Sequence, residues 1–356
     1  MRAIFFVQGE RVPAARVRGF AVARALEALG VATEVRVARP SVYGDTRLPW
    51  PLNQPRSLYT PVAALARLGQ LRDLRADDVV IFQRPMTELP VVALERWAGR
   101  GRKTIFDFDD AIFERRWGAR AKFRRLVGLV DRVVAGNRYL AAAAAAPDKT
   151  SIIPTAVDTE RFTAPPVPPV RGREVVVGWT GLSGNFHQLA HRAAAIGRAL
   201  KRTGARFVII SDRPPTRALA ALDATFVPWR PESEVEDLAR VDIGVMPLPD
   251  GPYERGKCAF KLLQYMALGR PGVASPVGAN ADVVTDGVDG LLPDGDGAWE
   301  EALVRLIEEP PLRQQMGAAA RRRVESAYSL AAVAQQYRSL IAGLVGEVGE
   351  RQREAR

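Results

Sequence analysis

The sequence predicts an α/β protein built from two doubly wound, Rossmann-like parallel-sheet domains. Three observations carry this. Short apolar, β-branched runs alternate with longer helical patterns, the arrangement that sets helices on both faces of a parallel sheet. At residues 163–173 the chain reads TAPPVPPVRGR, and four prolines there cannot continue a helix or a central strand. Beyond this linker the alternation restarts. A chain of 356 residues is long enough for two cores of that kind.

The first domain is expected over residues 1–165. Its strands are Ile4–Gln8, Thr33–Val37, Val79–Gln83, Thr104–Phe108, Arg132–Ala135 and Ser151–Ile153. Between the first two, Arg16–Leu29 has apolar residues at helical spacing, and Gly30 stands where a helix stops. The second domain is expected over residues 172–330, with strands Glu174–Trp179, Arg206–Ser211, Thr225–Val227, Asp242–Met246 and Gly272–Ala274. A short helix, Glu234–Arg240, starts near a capping Ser233. The segment Ala331–Val345 is an amphipathic helix, and the charged tail after it is expected to fray. Two such domains across a hinge leave a cleft at the carboxyl ends of their strands, where α/β sheets bind ligands.

Hydrophobic residues make up 47% of the chain and charged residues 26%, which excludes a disordered protein. Cys258 is the single cysteine, so no internal disulfide can form and a reducing compartment is compatible. The apolar stretch Ala3–Val7 is too short for a signal sequence, and no apolar run approaches the ~18 residues that span a bilayer. A cytoplasmic location is expected. The net charge is +11, and its distribution says more than its total. Residues 1–165 hold 27 Lys and Arg against 17 Asp and Glu, an excess of +10, while the remainder carries +1. Such asymmetry points to an anionic partner for the first half: a membrane surface, a phosphorylated acceptor or nucleic acid. An arginine-rich composition overall is the alternative reading.

The most informative loop lies in Val241–Ser275, VDIGVMPLPDGPYERGKCAFKLLQYMALGRPGVAS. A buried strand ends in Pro-rich turns. A helix then starts near Ala259 and stops at Gly269. Lys261 and Gln264 are three apart and share a helix face. A helix N-terminus offers free N–H groups and a positive dipole end, suited to a diphosphate. Lys261 adds a point charge, and Gln264 can donate to and accept from ribose hydroxyls. A second loop, Val175–Asn185 (VVVGWTGLSGN), runs from a strand into Gly178, Gly181 and Gly184. Glycines let backbone amides approach an anion closely, and they serve a tight strand-to-helix turn equally well.

These segments resemble the GT-B glycosyltransferases, in particular glycosyltransferase family four. QYMALGRPGVAS is similar to the end of that family's nucleotide-sugar signature, which has two glutamates eight residues apart. The second glutamate position is Gln264 here. The first falls at Gly256, with Glu254 two residues earlier as a stand-in. The string RGKCAFKLLQYM resembles members that build bacterial polysaccharides. GANADVVTDGVDGLLP (278–293), IIPTAVD (152–158) and VVAGNRYLA (133–141) resemble further family segments in the expected order, so the likeness spans most of residues 104–330.

The resemblance implies a hexosyltransferase-type enzyme that passes a sugar from a UDP- or GDP-sugar to a glycan or lipid-linked acceptor, with retention and no obligatory metal or other cofactor. Gly181, Ser183, Lys257, Lys261, Gln264 and Glu254 would face the donor. Trp229 would meet the nucleobase, or else pack on Pro228 and Pro231. The family's N-domain histidine has no counterpart, since His187 and His191 both lie in the second half. Within IFDFDDAIFERRW, Asp109 or Asp110 can orient or deprotonate the acceptor hydroxyl, or serve helix capping and arginine pairing. Asp107, Arg16 and Arg18 are the other acceptor-side candidates. The C-terminal helix, 331–350, is expected to pack back on the first domain.

The stretch RRWGARAKFRR (115–125) has six basic residues, Arg115, Arg116, Arg120, Lys122, Arg124 and Arg125, with Trp117 and Phe123 between them. On a helix this suits anionic lipid headgroups. A nucleic-acid surface would look similar, and the order of the glycosyltransferase motifs decides against it. Two alternatives to transfer are a nucleotide-sugar epimerase of the same fold and a non-catalytic nucleotide-sugar-binding relative.

Overall fold

The computed structural model describes residues 1–10, 12–39, 60–114, 118–163 and 174–354. The Pro-rich segment after Thr163 and the residues Arg115, Arg116 and Trp117 lie outside them. The chain divides into two compact units: Met1–Ala156 with Leu330–Arg356, and Val157–Ser329.

The first unit is a six-stranded parallel sheet: β1 (Ala3–Val7), β2 (Thr33–Val37), β3 (Val79–Gln83), β4 (Lys103–Phe108), β5 (Arg132–Ala135) and β6 (Thr150–Ile152). The spatial order is β2-β1-β3-β4-β5-β6. Strand order therefore reverses between β1 and β3, and this is the switch point where such sheets open a crevice at their carboxyl ends. β1 (AIFFV) and β3 (VVIFQ) are buried along their whole length, as continuous apolar runs covered on both faces must be. The expected helix Arg16–Leu29 forms in two parts. Residues Ala15–Phe20 wind as a π-helix, and Ala21–Ala28 continue as an α-helix, with Gly30 beyond its end at φ 81°.

The widened turn holds Arg18, which is 1% exposed and corrects the acceptor-side expectation for it and for Asp107. Arg18 donates through Nε to Asp107 Oδ1 at 2.8 Å, through Nη1 to the Ile153 carbonyl at 3.0 Å, and through Nη2 to the Tyr337 hydroxyl at 2.8 Å. Tyr337 in turn donates to Asp107 Oδ2 at 2.6 Å. Asp107, on β4, is completely buried. These are core groups matched to one another, because an unpaired charge at that depth would cost several kcal/mol, of order 3–5. Burial pushes the Asp107 carboxyl above its usual range, against the pull of Arg18. Tyr337 comes from the C-terminal helix, Leu330–Glu354, whose Val333, Tyr337, Ile341 and Leu344 enter the same core as β1 and β3. Spacings of three and four put these on one helix face. The helix runs on to Glu354 where the tail was expected to fray.

The second unit is also six-stranded and parallel: β7 (Val176–Thr180), β8 (Arg206–Ser211), β9 (Thr225–Pro228), β10 (Ile243–Met246), β11 (Gly272–Ala274) and β12 (Gly290–Leu291). Its order is β12-β11-β10-β7-β8-β9, so the switch point falls between β7 and β10. β12, two residues long, is absent from the sequence expectation. The helix Phe260–Ala267 follows β10 and sits directly on it: a Cβ on Gly244 would come within 2.0 Å of the Tyr265 ring. Tyr265 then accepts a hydrogen bond from the Thr180 N–H at 2.9 Å, which ties the helix to the end of β7. The chain enters and leaves this unit side by side, through a parallel bridge between Val157 and Ser329.

Tyr337→Phe removes the hydroxyl that accepts from Arg18 and donates to Asp107. The expected loss is about 1–3 kcal/mol, the penalty for leaving buried charged groups one partner short. A lowered urea midpoint at unchanged slope is the readout; an unchanged midpoint would show that the hydroxyl contributes nothing.

Candidate functional site

The switch point of the second unit brings together Gly181 and Lys261, two of the residues expected to face a donor. β7 ends at Thr180, and Gly181 follows. A Cβ on Gly181 would lie 2.7 Å from Lys261 Cε and 2.8 Å from the Trp179 ring. A side chain at that spot would displace the Lys261 stem and press on the buried Trp179 ring. The Lys261 ammonium rests 5.3 Å from the Trp179 ring centroid, a cation–π contact. Lys261 is half-buried, and among the described residues no carboxylate lies within 4 Å of its Nζ. Burial, then the neighbouring Lys257, press its pKa down to about 8, with Cys258 opposing. The helix that carries it begins at Ala259, φ 55°, with no side chain capping its first N–H groups. A half-buried cation without a counter-charge, beside open backbone donors at a sheet edge, is suited to bind an anion.

The other donor-side residues divide. Lys257 donates to the Tyr253 hydroxyl at 3.2 Å and lies over that ring. Glu254, 9% exposed, faces the helix Phe186–Ala190: its Oε1 is 3.5 Å from both Gln188 Nε2 and His187 Nε2. His187 therefore meets a carboxylate, which spacing alone did not reveal. Ser183 is committed to Asp212, through its N–H at 2.6 Å and its Oγ at 3.1 Å. An anion at Ser183 would have to displace that carboxylate.

Gln264 and Trp229 converge on a residue that sequence reading did not single out. Gln264 Nε2 donates to Glu234 Oε1 at 3.2 Å, and Trp229 Nε1 donates to the same oxygen at 3.2 Å. Arg161 donates to Glu234 Oε2 at 2.8 Å. Trp229 is half-buried against the apolar core behind it. Glu234 opens the helix Glu234–Ala239, and Ser233 makes no side-chain cap there.

In the first unit, the carboxyl edge of the sheet carries Asp109 and Asp110. Arg84, next to β3, holds Asp109 Oδ1 with Nη2 at 2.8 Å and Nε at 3.2 Å, and reaches Asp110 at 3.7 Å. Arg84 has φ 67°, a left-handed conformation costly for a side chain with a Cβ, and its N–H donates to the Asp107 carbonyl at 2.8 Å. Burial would raise the Asp109 pKa, but Arg84 and then Arg18 outweigh it and hold the carboxyl below its usual range. Asp109 thus stays ionised and can accept a hydrogen bond from a hydroxyl, while it is a weak proton acceptor. No short motif marks Arg84 in the sequence. Arg16 is half-buried on the π-helical turn.

The basic stretch is also sorted. On the helix Ala119–Leu129, Lys122 points inward with Phe123, Leu126 and Val127. It is 5% exposed, donates to the Thr87 and Leu89 carbonyls at 2.7 Å each, and lies 3.6 Å from Glu95. This corrects its assignment to an anionic surface. Arg120, Arg124 and Arg125 face outward; Arg120 pairs with Glu114, and Arg125 donates to the Pro90 carbonyl at 3.1 Å. Beside that carbonyl, Val91 is exposed, as is Trp97 on the short helix Ala93–Ala98 with Arg96. Among the described residues, no group of three His, Cys, Asp or Glu could hold a metal ion, and no helix is long and apolar enough to cross a membrane.

Residues 174–309 match the family model of glycosyl transferases group 1. Sixty residues are 43% identical to D-inositol 3-phosphate glycosyltransferase of Corynebacterium diphtheriae, a match that spans 16% of this chain and 14% of that protein. HepE from Anabaena, solved with UDP and glucose, superposes with TM-score 0.68 at 16% identity, over 96% of this chain and 100% of that one. Sucrose-phosphate synthase from Thermosynechococcus elongatus superposes with TM-score 0.70 at 16% identity, over 98% and 100%. At such identities the likeness is one of fold. The two six-stranded parallel sheets are the GT-B fold, and the group 1 glycosyl transferase match lies wholly within its second unit.

Proposed function

We propose that the chain is a hexosyltransferase of the family-four type, which moves a sugar from a UDP- or GDP-sugar to a glycan or lipid-linked acceptor with retention. The observation that carries this reading is Lys261: an ammonium without a counter-charge among the described residues, laid on Gly181 at the switch point, inside the segment that matches glycosyl transferases group 1. HepE, of the same fold, binds UDP, which supports a nucleoside diphosphate as the anion. In the proposed reaction the bond from the sugar's anomeric carbon to the diphosphate breaks, and a bond to the acceptor oxygen forms on the same face. The acceptor proton passes to the departing phosphate. Lys261 and the first N–H groups of its helix stabilise the charge that develops there. Asp109, kept ionised by Arg84, orients the acceptor hydroxyl, with Asp110 beside it. The reading assigns no metal and no other cofactor.

A peripheral contact with an anionic membrane belongs to the same proposal. Its support is the outward row Arg120, Arg124 and Arg125 next to exposed Val91, Arg96 and Trp97. Indole and arginine side chains suit the headgroup level, at about 1 kcal/mol per basic residue.

Two outcomes test these points. In the free protein Lys261 titrates near 8, well below an ordinary lysine. A bound diphosphate stabilises the ammonium and raises that pKa, so above pH 8 binding must take up a proton. UDP or GDP affinity is therefore expected to fall as pH rises past 8, by up to about tenfold per unit. Lys261→Ala should abolish that slope and weaken binding at pH 7 by about 10- to 100-fold, the worth of a charged hydrogen bond. Calorimetry across pH reads both, and a flat wild-type profile would remove Lys261 from the site. The second outcome concerns lipid. Flotation is expected with phosphatidylglycerol-containing vesicles and not with pure phosphatidylcholine. Salt, Arg124→Glu with Arg125→Glu, and Trp97→Ala should each reduce it. Equal flotation on both vesicle types would contradict an electrostatic contact.

A further inference from the structure

Glu234 has no part in the reading above, yet three side chains from three separate segments converge on it. Its carboxylate accepts from Trp229 at the end of β9, from Gln264 on the helix after β10, and from Arg161 near the start of the unit. It is 7% exposed. An ionised carboxylate only accepts hydrogen bonds, so the end of Gln264 that meets it must be the amide NH2. The amide orientation is thereby determined, and Gln264 Oε1 is turned away from Glu234. That oxygen takes no hydrogen bond among the described residues and is not sealed in the core with the buried unpartnered atoms. Lys261 stands one turn earlier on the same helix face.

We infer that Glu234 is a positioning residue of the donor site: it locks Gln264 so that its carbonyl oxygen is presented to a hydroxyl of the bound nucleoside diphosphate, and it fixes the Trp229 indole in the same act. This rests on the donor reading proposed above. It carries a consequence opposite to simple motif repair. Position 264 must supply a donor towards Glu234, so a glutamate there would set two carboxylates about 3 Å apart, where both cannot ionise. Gln264→Glu should thus harm the site at neutral pH. In acid the introduced side chain protonates, its O–H replaces the amide N–H, and the original arrangement returns.

The test is UDP and GDP affinity by calorimetry, with thermal unfolding alongside, at pH 7.5 and pH 5.5. The wild type should bind one of the two nucleotides at both values. Gln264→Glu is expected to lose at least tenfold in affinity and to unfold at a lower temperature at pH 7.5, and to regain both at pH 5.5. Glu234→Gln, neutral and of the same shape, should lose affinity at both values with no acid recovery. Gln264→Met, which removes the donor together with the carbonyl, should bind weakly and unfold at a lower temperature at both values, with no acid recovery. A Gln264→Glu protein that binds as tightly as wild type at pH 7.5, or stays equally weak at pH 5.5, overturns the role of Glu234. Wild-type protein that binds neither nucleotide overturns the donor reading instead, so the two failures are distinguishable.

Discussion

A parallel sheet covered on both faces leaves its polar side chains one place to go, the carboxyl edge, and any charge drawn below that edge must be matched. Both units obey this constraint. β1, β3 and β7 are buried along their length, and apolar except for Gln83 and Thr180 at the carboxyl ends of β3 and β7. Asp107, the charge that does enter the first sheet, is met by Arg18 and Tyr337, and that demand recruits the far end of the chain: Tyr337 lies 230 residues away. The return of the C-terminal helix to the first unit follows from one buried carboxylate as well as from the apolar stripe around it.

The same constraint separates charges matched inside the protein from one that is not. Arg18 with Asp107, and Lys122 with Glu95 and two carbonyls, are paired and buried. Lys261 is held as closely but has an aromatic ring where a carboxylate would otherwise stand. A side chain kept half-desolvated without its counter-charge is poised for one that arrives from outside. Arg84 is intermediate. It is matched by Asp109, but its left-handed backbone is a local cost that the fold tolerates beside the candidate acceptor carboxylates.

The fold was legible because its signals are periodic and local. Apolar runs of four to six residues between helical patterns locate strands without knowledge of their partners. β12 was not, because Gly290–Leu291 is a strand only by virtue of β11 beside it. At the second switch point, the meeting of Lys261 with Gly181 could be read because a strand, a glycine and a helix start define that spot in one dimension. Glu234 could not, since its meaning lies in contacts with residues 30 and 73 positions away. Arg18 and Lys122 misled for a related reason. A basic side chain in an amphipathic pattern reads as solvent-facing, and only packing shows that its head has found carbonyls or a carboxylate within.

The charge pattern of the donor loop follows from these pairings. Between Asp250 and Gln264 each acid has a partner: Asp250 is held by Arg255, and Glu254 lies against His187 and Gln188. Glu234 is spread over three donors. What remains towards the switch point is the Lys261 ammonium, with uncapped helix N–H groups beside it. A glutamine rather than a glutamate at position 264 preserves that balance, because a second carboxylate one turn from Lys261 would provide the counter-charge internally. The ammonium would then be spent on the protein itself, and in the proposed reaction its pull on a departing diphosphate would be lost.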